Sequence, residues 1–320
     1  MRYTLLFVLV FWSQEVSAIE WSRFNGTWPA AGPRLDIPEE VLAGDVSDWQ
    51  AATSKVLRDH LDALRISPVL AGPDYAGTWK NRGYVIEQYN FGFGKGPTIE
   101  SLLAVPDRLD AFKPLVVALH GHAIVPWGKA PHALFKSWAG QWAAAGYAVW
   151  APSHLWYDEL SVFYRDSCSS ARCDDYHIVW VKMLERLWDA VQGVLPAHNG
   201  TIITGHSSGS LSARILMAAR PGEFQAGIFS AHPTLDYCRE NCRHISHPPQ
   251  WNIEWVQSYL VFDLLHDAPT QHQIGRRDPY FPGNMIARTA ANPGATHPPL
   301  WGTLIGQHRA VTGPERLPST

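Results

Sequence analysis

The chain has 320 residues, 46% of them hydrophobic, and a formal net charge of −3. That length suffices for one large α/β domain, and the near-neutral charge argues against the basic stripe of a nucleic-acid binder. Its longest purely apolar stretch lies at the N-terminus and is too short to span a bilayer, which needs about 20 apolar residues.

Residues 1–18 have the three parts of an export signal in order. Arg2 gives a positive start, Leu5 to Trp12 an apolar run, and Val16-Ser17-Ala18 a small-residue cleavage site. The expectation is a secreted protein, extracellular or periplasmic, with no stable membrane anchor. Residues 19–80 then form an expected N-terminal elaboration. Within it Ser47 to Gln50 resembles a capping box, and Trp49, Val56, Leu57, Leu61 and Leu64 recur at helical spacing.

The main domain is expected over residues 81–320. Tyr84 to Phe91 and Ile99 to Val105 are strand-like runs joined by a glycine-rich turn. Leu115 to Leu119 is a continuous apolar run, as in a strand buried on both faces. A helix bearing Leu134, Phe135, Trp138 and Trp142 on one face follows, closed by Gly146, and Tyr147 to Ala151 is the next strand. After an insertion over 152–174, Ile178 to Leu195 carries apolar residues at three- and four-residue steps, with Asp174 or Asp175 as its cap. Thr201 to Thr204 (strand), Leu211 to Arg220 (helix) and Phe224 to Phe229 (strand) continue the alternation, which predicts a mostly parallel sheet flanked by helices. No internal repeat interrupts it.

Cys168 with Cys173, and Cys238 with Cys242, form two tight local pairs. In an exported protein these are expected as disulfides within each pair. The alternative is a tetrahedral metal site of Cys238, Cys242, His244 and His247; export favours disulfides, and no metal or cofactor is expected. Asn25-Gly26-Thr27 and Asn199-Gly200-Thr201 are acceptor sequences for N-linked glycans in a eukaryotic host.

Gly205-His206-Ser207-Ser208-Gly209 has the G-x-S-x-G pattern of a nucleophile elbow. The pentapeptide alone is weak, but it lies between a buried strand and a helix, the context the pattern demands. There a strained turn lifts the Ser207 hydroxyl to a helix N-terminus, where developing negative charge is favoured. Upstream, Leu115 to Leu119 runs into His120-Gly121-His122, where the loop for an oxyanion hole belongs. The backbone N–H groups of His122 and Ser208 are the expected donors. The acid and base should follow in the order serine, acid, histidine. Asp278, after Gly275-Arg276-Arg277, is the expected acid, with Asp236 and then Glu254 as alternatives; His308, after Gly306-Gln307, is the expected base, with His297 as its competitor.

Taken in that order, these motifs resemble the α/β-hydrolase superfamily over roughly residues 80–310. The chain looks most like the dienelactone-hydrolase and acetyl-xylan-esterase-like branches, on the helix leading into the nucleophile strand and the lack of a large cap domain. The pattern departs between Asp278 and His308, where the expected eighth strand is hard to find near Pro298 and Pro299. A serine nucleophile in such a fold implies acyl transfer to water through an acyl-enzyme. The expected function is therefore serine carboxylic-ester hydrolysis of a small-molecule or carbohydrate-linked ester, with no nucleic-acid partner. A serine peptidase or amidase on the same fold, and a non-catalytic binding module, are the rival expectations. Trp156, Tyr157, Phe163 and Tyr164 in the 152–174 insertion are either a platform for a ring substrate or packing residues.

Overall fold

A computed structural model describes residues 47–64, 66, 71–94, 97–121, 135, 138–153, 176–230, 260–275 and 300–304. The expected export signal, Asn25, most of the 152–174 insertion and all four cysteines lie outside the described residues.

The first described element is helix α1 (Ser47–Ala63). Its apolar stripe works as the spacing predicts: Leu57, Leu61 and Leu64 are buried in the main core. Lys182 reaches back to Asp62 at 2.7 Å, tying this helix to α3 (Tyr176–Val191).

Nine strands among the described residues make one sheet, in the order β1-β2-β3-β5-β4-β6-β7-β8-β9. They are β1 (Ala71–Asn81), β2 (Tyr84–Gly92), β3 (Thr98–Pro106), β4 (Leu115–Leu119), β5 (Val149–Pro152), β6 (Thr201–His206), β7 (Ala226–Ser230), β8 (Thr270–Gly275) and β9 (Leu300–Leu304). The first three pair antiparallel, and β3 pairs antiparallel with β5. From β5 to β9 every pairing is parallel. Parallel strands need crossovers, and the helices α2 (Trp138–Ala144), α3, α4 (Ser208–Ala219) and α5 (Leu260–Leu264) lie between them in the chain.

Strand β4 shows how the sheet holds two cores. Leu115, Val117 and Leu119 join the cluster containing α1, α3 and α4, whereas Val116 and Ala118 face Trp138, Ala139 and Trp142 of α2. A side-chain period of two sends alternate residues to opposite faces, so a strand covered on both sides must be apolar throughout. All five β4 residues are buried.

The expected strands and helices recur with small shifts at their ends, and three differences are informative. Strand β1 was not foreseen; it is an edge strand with register irregularities after Ala71 and Tyr75, and lacks the apolar alternation that marks a half-buried strand. Helix α4 begins at Ser208, where the elbow context places its start, and so runs upstream of the apolar stretch from Leu211. Finally, β9 starts at Leu300, immediately after the prolines that obscured it, and pairs Gln271 to Gly275 with Leu300 to Leu304. No described helix is long and apolar enough to cross a membrane.

Candidate active site

Strands β4 and β6 run side by side, with Leu119 opposite Gly205, so both end at the same carboxyl edge of the sheet. In open α/β sheets that edge is where ligands bind. Ser207 follows β6 with φ 52° and ψ −123°, and among the described residues it is the one non-glycine at positive φ. Such a backbone costs roughly 1–3 kcal/mol and persists only where its surroundings over-determine it.

Three contacts hold the strained turn. The Ser207 N–H donates to the carbonyl of Ser230 at the end of β7 (2.9 Å), and its own carbonyl accepts from the N–H of Ser210 (2.9 Å) and of Leu211 (3.3 Å). Packing does the rest. A Cβ on Gly205 would lie 2.6 Å from the Ser210 nitrogen, and one on Gly209 would collide with the carbonyls of Leu119 and His120. The two glycines of the motif thus let strand, helix and the neighbouring strand end meet backbone to backbone. Ser207 itself is half-buried at the surface of this junction, and Ser208 beside it is buried.

Because Ser208 is the first residue of α4, its N–H is one of the four at a helix start that lack an intrahelical acceptor. Every one of the twelve α4 residues is buried, so the positive end of the helix abuts Ser207 from inside the protein. The expected oxyanion strand end also arrives there. A Cβ on Gly121 would be 2.7 Å from the His206 carbonyl and 2.9 Å from the Ser207 Cβ. His120 is buried, with Nδ1 2.8 Å from the Gly121 carbonyl, and desolvation pushes its pKa down to about 4, partly opposed by that hydrogen bond.

Of the expected site residues, the structure brings together Ser207, Ser208 and the His120-Gly121 turn. His122, Asp278 and His308 lie outside the described residues, as do Asp236, Glu254 and His297. The strands leading to two of these are described. Gly275 ends β8 three residues before Asp278, and Leu304 ends β9 four residues before His308. Both strands run parallel to β6, so both end at the edge that carries Ser207.

Behind the elbow sits a polar group that the sequence did not announce. Arg214, fully buried in α4, donates from Nε and Nη2 to the two carboxylate oxygens of Asp263 in α5, each at 2.8 Å. His272 of β8 places Nε2 3.6 Å from the same carboxylate, and its ring packs edge-on against Phe229 at 5.3 Å. Burial lowers the His272 pKa to about 4, despite the opposing pull of Asp263. The signal in the sequence is an arginine in the middle of a helix whose other residues from Leu211 to Ala219 are apolar but for Ser212.

A scan against protein-family models and a search among curated proteins find no match. Solved structures do match. A methylesterase aligns at 16% identity over 89% of this chain and 67% of its own, with a TM-score of 0.61. A putative acetyl xylan esterase from Bacteroides fragilis aligns at 13% over 86% of this chain and 79% of its own, TM-score 0.58. A glucuronoyl esterase from Solibacter usitatus aligns at 13% over 84% and 91%, TM-score 0.58. Identities this low establish architecture and not chemistry. With the strand order, the parallel core and the strained serine between β6 and α4, they show that this chain has the α/β-hydrolase fold.

Proposed function

We propose that the protein is a serine carboxylic-ester hydrolase in which Ser207 is the nucleophile. The supporting observation is the Ser207 backbone, held at φ 52° on a turn between a buried strand and a buried helix. A serine kept at such a cost with its side chain at a ligand-binding edge suits covalent catalysis.

In this mechanism the Ser207 hydroxyl adds to the ester carbonyl carbon while its proton passes to His308. The resulting oxyanion accepts hydrogen bonds from the N–H groups of His122 and Ser208. Collapse expels the alcohol, which takes the proton from His308, and leaves an acyl-serine. Water, deprotonated by the same histidine, then releases the acid and regenerates the hydroxyl. Asp278 holds the imidazole tautomer and stabilises its charged form, with Asp236 as the alternative acid. Strand β8 lies two places from β6 in the sheet, about 10 Å at the usual strand spacing.

The fold neighbours bear on the substrate. By their descriptions they are a methylesterase, an acetyl xylan esterase and a glucuronoyl esterase. Esters attached to carbohydrates are therefore the substrate class proposed for this chain. Export directed by residues 1–18, the disulfides Cys168–Cys173 and Cys238–Cys242, and glycans on Asn25 and Asn199 in a eukaryotic host belong to the same proposal. Peptide mapping under non-reducing conditions tests the cysteine pairs.

The test is labelling by a fluorophosphonate probe together with a panel of nitrophenyl, acetylated-sugar and uronate-methyl esters. The expected outcome is wild-type labelling and turnover, both lost in Ser207→Ala, with kcat down by about 10⁴-fold or more. Faster cleavage of peptide anilides than of esters would select a peptidase. A wild type that neither labels nor turns over would leave the binding module.

A further inference from the structure

The turn that leads into β4 carries apolar side chains outward. Three large hydrophobic residues are exposed among the described residues, and two of them lie in this turn: Leu109 at 39% and Phe112 at 86%. The turn is ordered. The Asp110 carboxylate accepts from the Phe112 N–H at 3.0 Å, and the Asp110 carbonyl accepts from the Lys113 N–H at 3.0 Å. An aspartate bonded to the backbone two residues on is a common way to close a tight turn. Lys113 is fastened in its own right, with Nζ 2.8 Å from the Ala145 carbonyl and 4.8 Å from the centre of the Tyr147 ring. Phe112 is therefore held out by a stiff backbone, as the centre of a small apolar patch.

A group that can cover the patch belongs to the chain itself. The Asn199 N–H donates to the Lys113 carbonyl at 3.0 Å, so Asn199 sits beside the residue that follows Phe112. Neighbouring chains in a sheet lie about 5 Å apart, which brings a sugar on Asn199 within reach of the ring. Asn199 opens the acceptor sequence Asn199-Gly200-Thr201; it is exposed, whereas Thr201 is buried at the start of β6. A bulky substituent on Asn199 is thus compatible with the fold. The substrate of Ser207 does not compete for this place. Both β4 and β6 begin here, and Ser207 follows the opposite end of β6, about 20–25 Å away.

We propose that Phe112 is the seat of a glycan on Asn199, whose first N-acetylglucosamine lays the apolar face of its ring on the phenyl ring. This rests on the reading that Asn199 is glycosylated in a eukaryotic host. Attachment forms a bond between Asn199 Nδ2 and C1 of the sugar and breaks the bond from C1 to the diphosphate oxygen of a lipid-linked oligosaccharide. The diphosphate leaves with the bonding pair, and the amide gives up one proton. A phenyl ring already fixed in place offers a flat apolar surface at little cost in conformational entropy, so the contact stabilises the folded chain.

The experiment secretes the full chain from yeast with Asn25→Gln, which leaves Asn199 as the one acceptor sequence, and compares it with the same chain carrying Phe112→Ser. Each protein is melted intact, after trimming to the first N-acetylglucosamine, and after complete enzymatic removal of the glycan. With Phe112 present, the melting temperature should hold on trimming and fall by about 2–3 °C on complete removal. With Phe112→Ser it should change by less than about half a degree throughout. Complete removal turns Asn199 into aspartate in both chains, so that charge cancels from the comparison. An equal fall in both chains would overturn the proposal. So would self-association of the glycosylated protein that Phe112→Ser abolishes, which gives the ring to a second copy instead.

Peptide mass spectrometry separates the two levels. An empty Asn199 removes the glycosylation reading and this proposal with it, whereas an occupied Asn199 with equal falls sinks this proposal alone. Should Phe112→Ser misfold, nuclear Overhauser contacts between the trimmed sugar and the Phe112 ring decide: their presence supports the stacking, and their absence overturns it.

Discussion

The start and the middle of helix α4 are held by opposite means. At its start the elbow is a steric device: backbone meets backbone, Gly205, Gly209 and Gly121 leave no room for a Cβ, and the strain at Ser207 is absorbed by close contact. Two turns along, Arg214, Asp263 and His272 form an electrostatic device, in which a buried guanidinium takes both oxygens of a buried carboxylate beside a neutral imidazole. The steric device tolerates almost no change in volume. The electrostatic one tolerates volume but not the loss of a partner. Together they fix the helix that follows Ser207 to β4 on one side and to β8 on the other.

The sharpest way to break the contrast is to remove the carboxylate that faces the arginine. Asp263→Leu takes away the carboxylate that accepts two hydrogen bonds from a fully buried guanidinium, and should cost about 3–5 kcal/mol in urea denaturation. Arg214→Met combined with Asp263→Leu should recover most of that loss, since a buried pair replaced by apolar side chains is often close to neutral. A single variant with unchanged stability would show that the pair is not buried as described. On the steric side, Gly209→Ala drives a methyl into the carbonyls of Leu119 and His120, and overpacking of this kind costs about 1–3 kcal/mol. It should also depress kcat, because β4 is pushed away from the elbow. Full activity together with normal melting would refute the close approach.

Acid acts on a buried ring at each device. The rings of His120 and His272 have folded pKa values of about 4, below the unfolded value of about 6.5. Between those values the unfolded chain binds more protons than the folded one. Stability is therefore intact above about pH 6.5 and lost as pH falls towards 4, by about 1.4 kcal/mol per pH unit for each ring. Replacing His272 with Leu should flatten that slope by about one proton, as read from denaturation curves between pH 4 and 7. An unaltered slope would mean that the ring is already charged in the native state.

The smallest expected effect sharpens the steric half. Ser207→Gly removes the Cβ that makes φ 52° costly, and should raise the melting temperature by an amount corresponding to about 1 kcal/mol while abolishing turnover. A drop in stability would indicate that the serine side chain makes interactions outweighing its strain.

Much of this was legible along the chain. The run Leu115 to Leu119, the spacing within α3 and the pentapeptide around Ser207 each carry their meaning locally, because burial on two faces, helical amphipathicity and a glycine-flanked turn all leave marks a few residues apart. Strand β1 and strand β9 left no such marks. One is an irregular edge whose apolar pattern is broken, and the other follows two prolines and is recognised by its pairing with Gln271 to Gly275.

By itself the amino-acid sequence determined the alternation of strands and helices, and with it the position of Ser207 at a strand-to-helix turn. Only the tertiary structure decided that Gly121 presses on that serine across a distance of 86 residues, that His120 grips the same peptide unit, and that Arg214 is a buried ion-pair partner and not a surface charge. The physical reason is range. Steric demands on a turn are met by adjacent residues, whereas the partner of a buried charge or a crowded backbone comes from whichever strand the fold brings alongside.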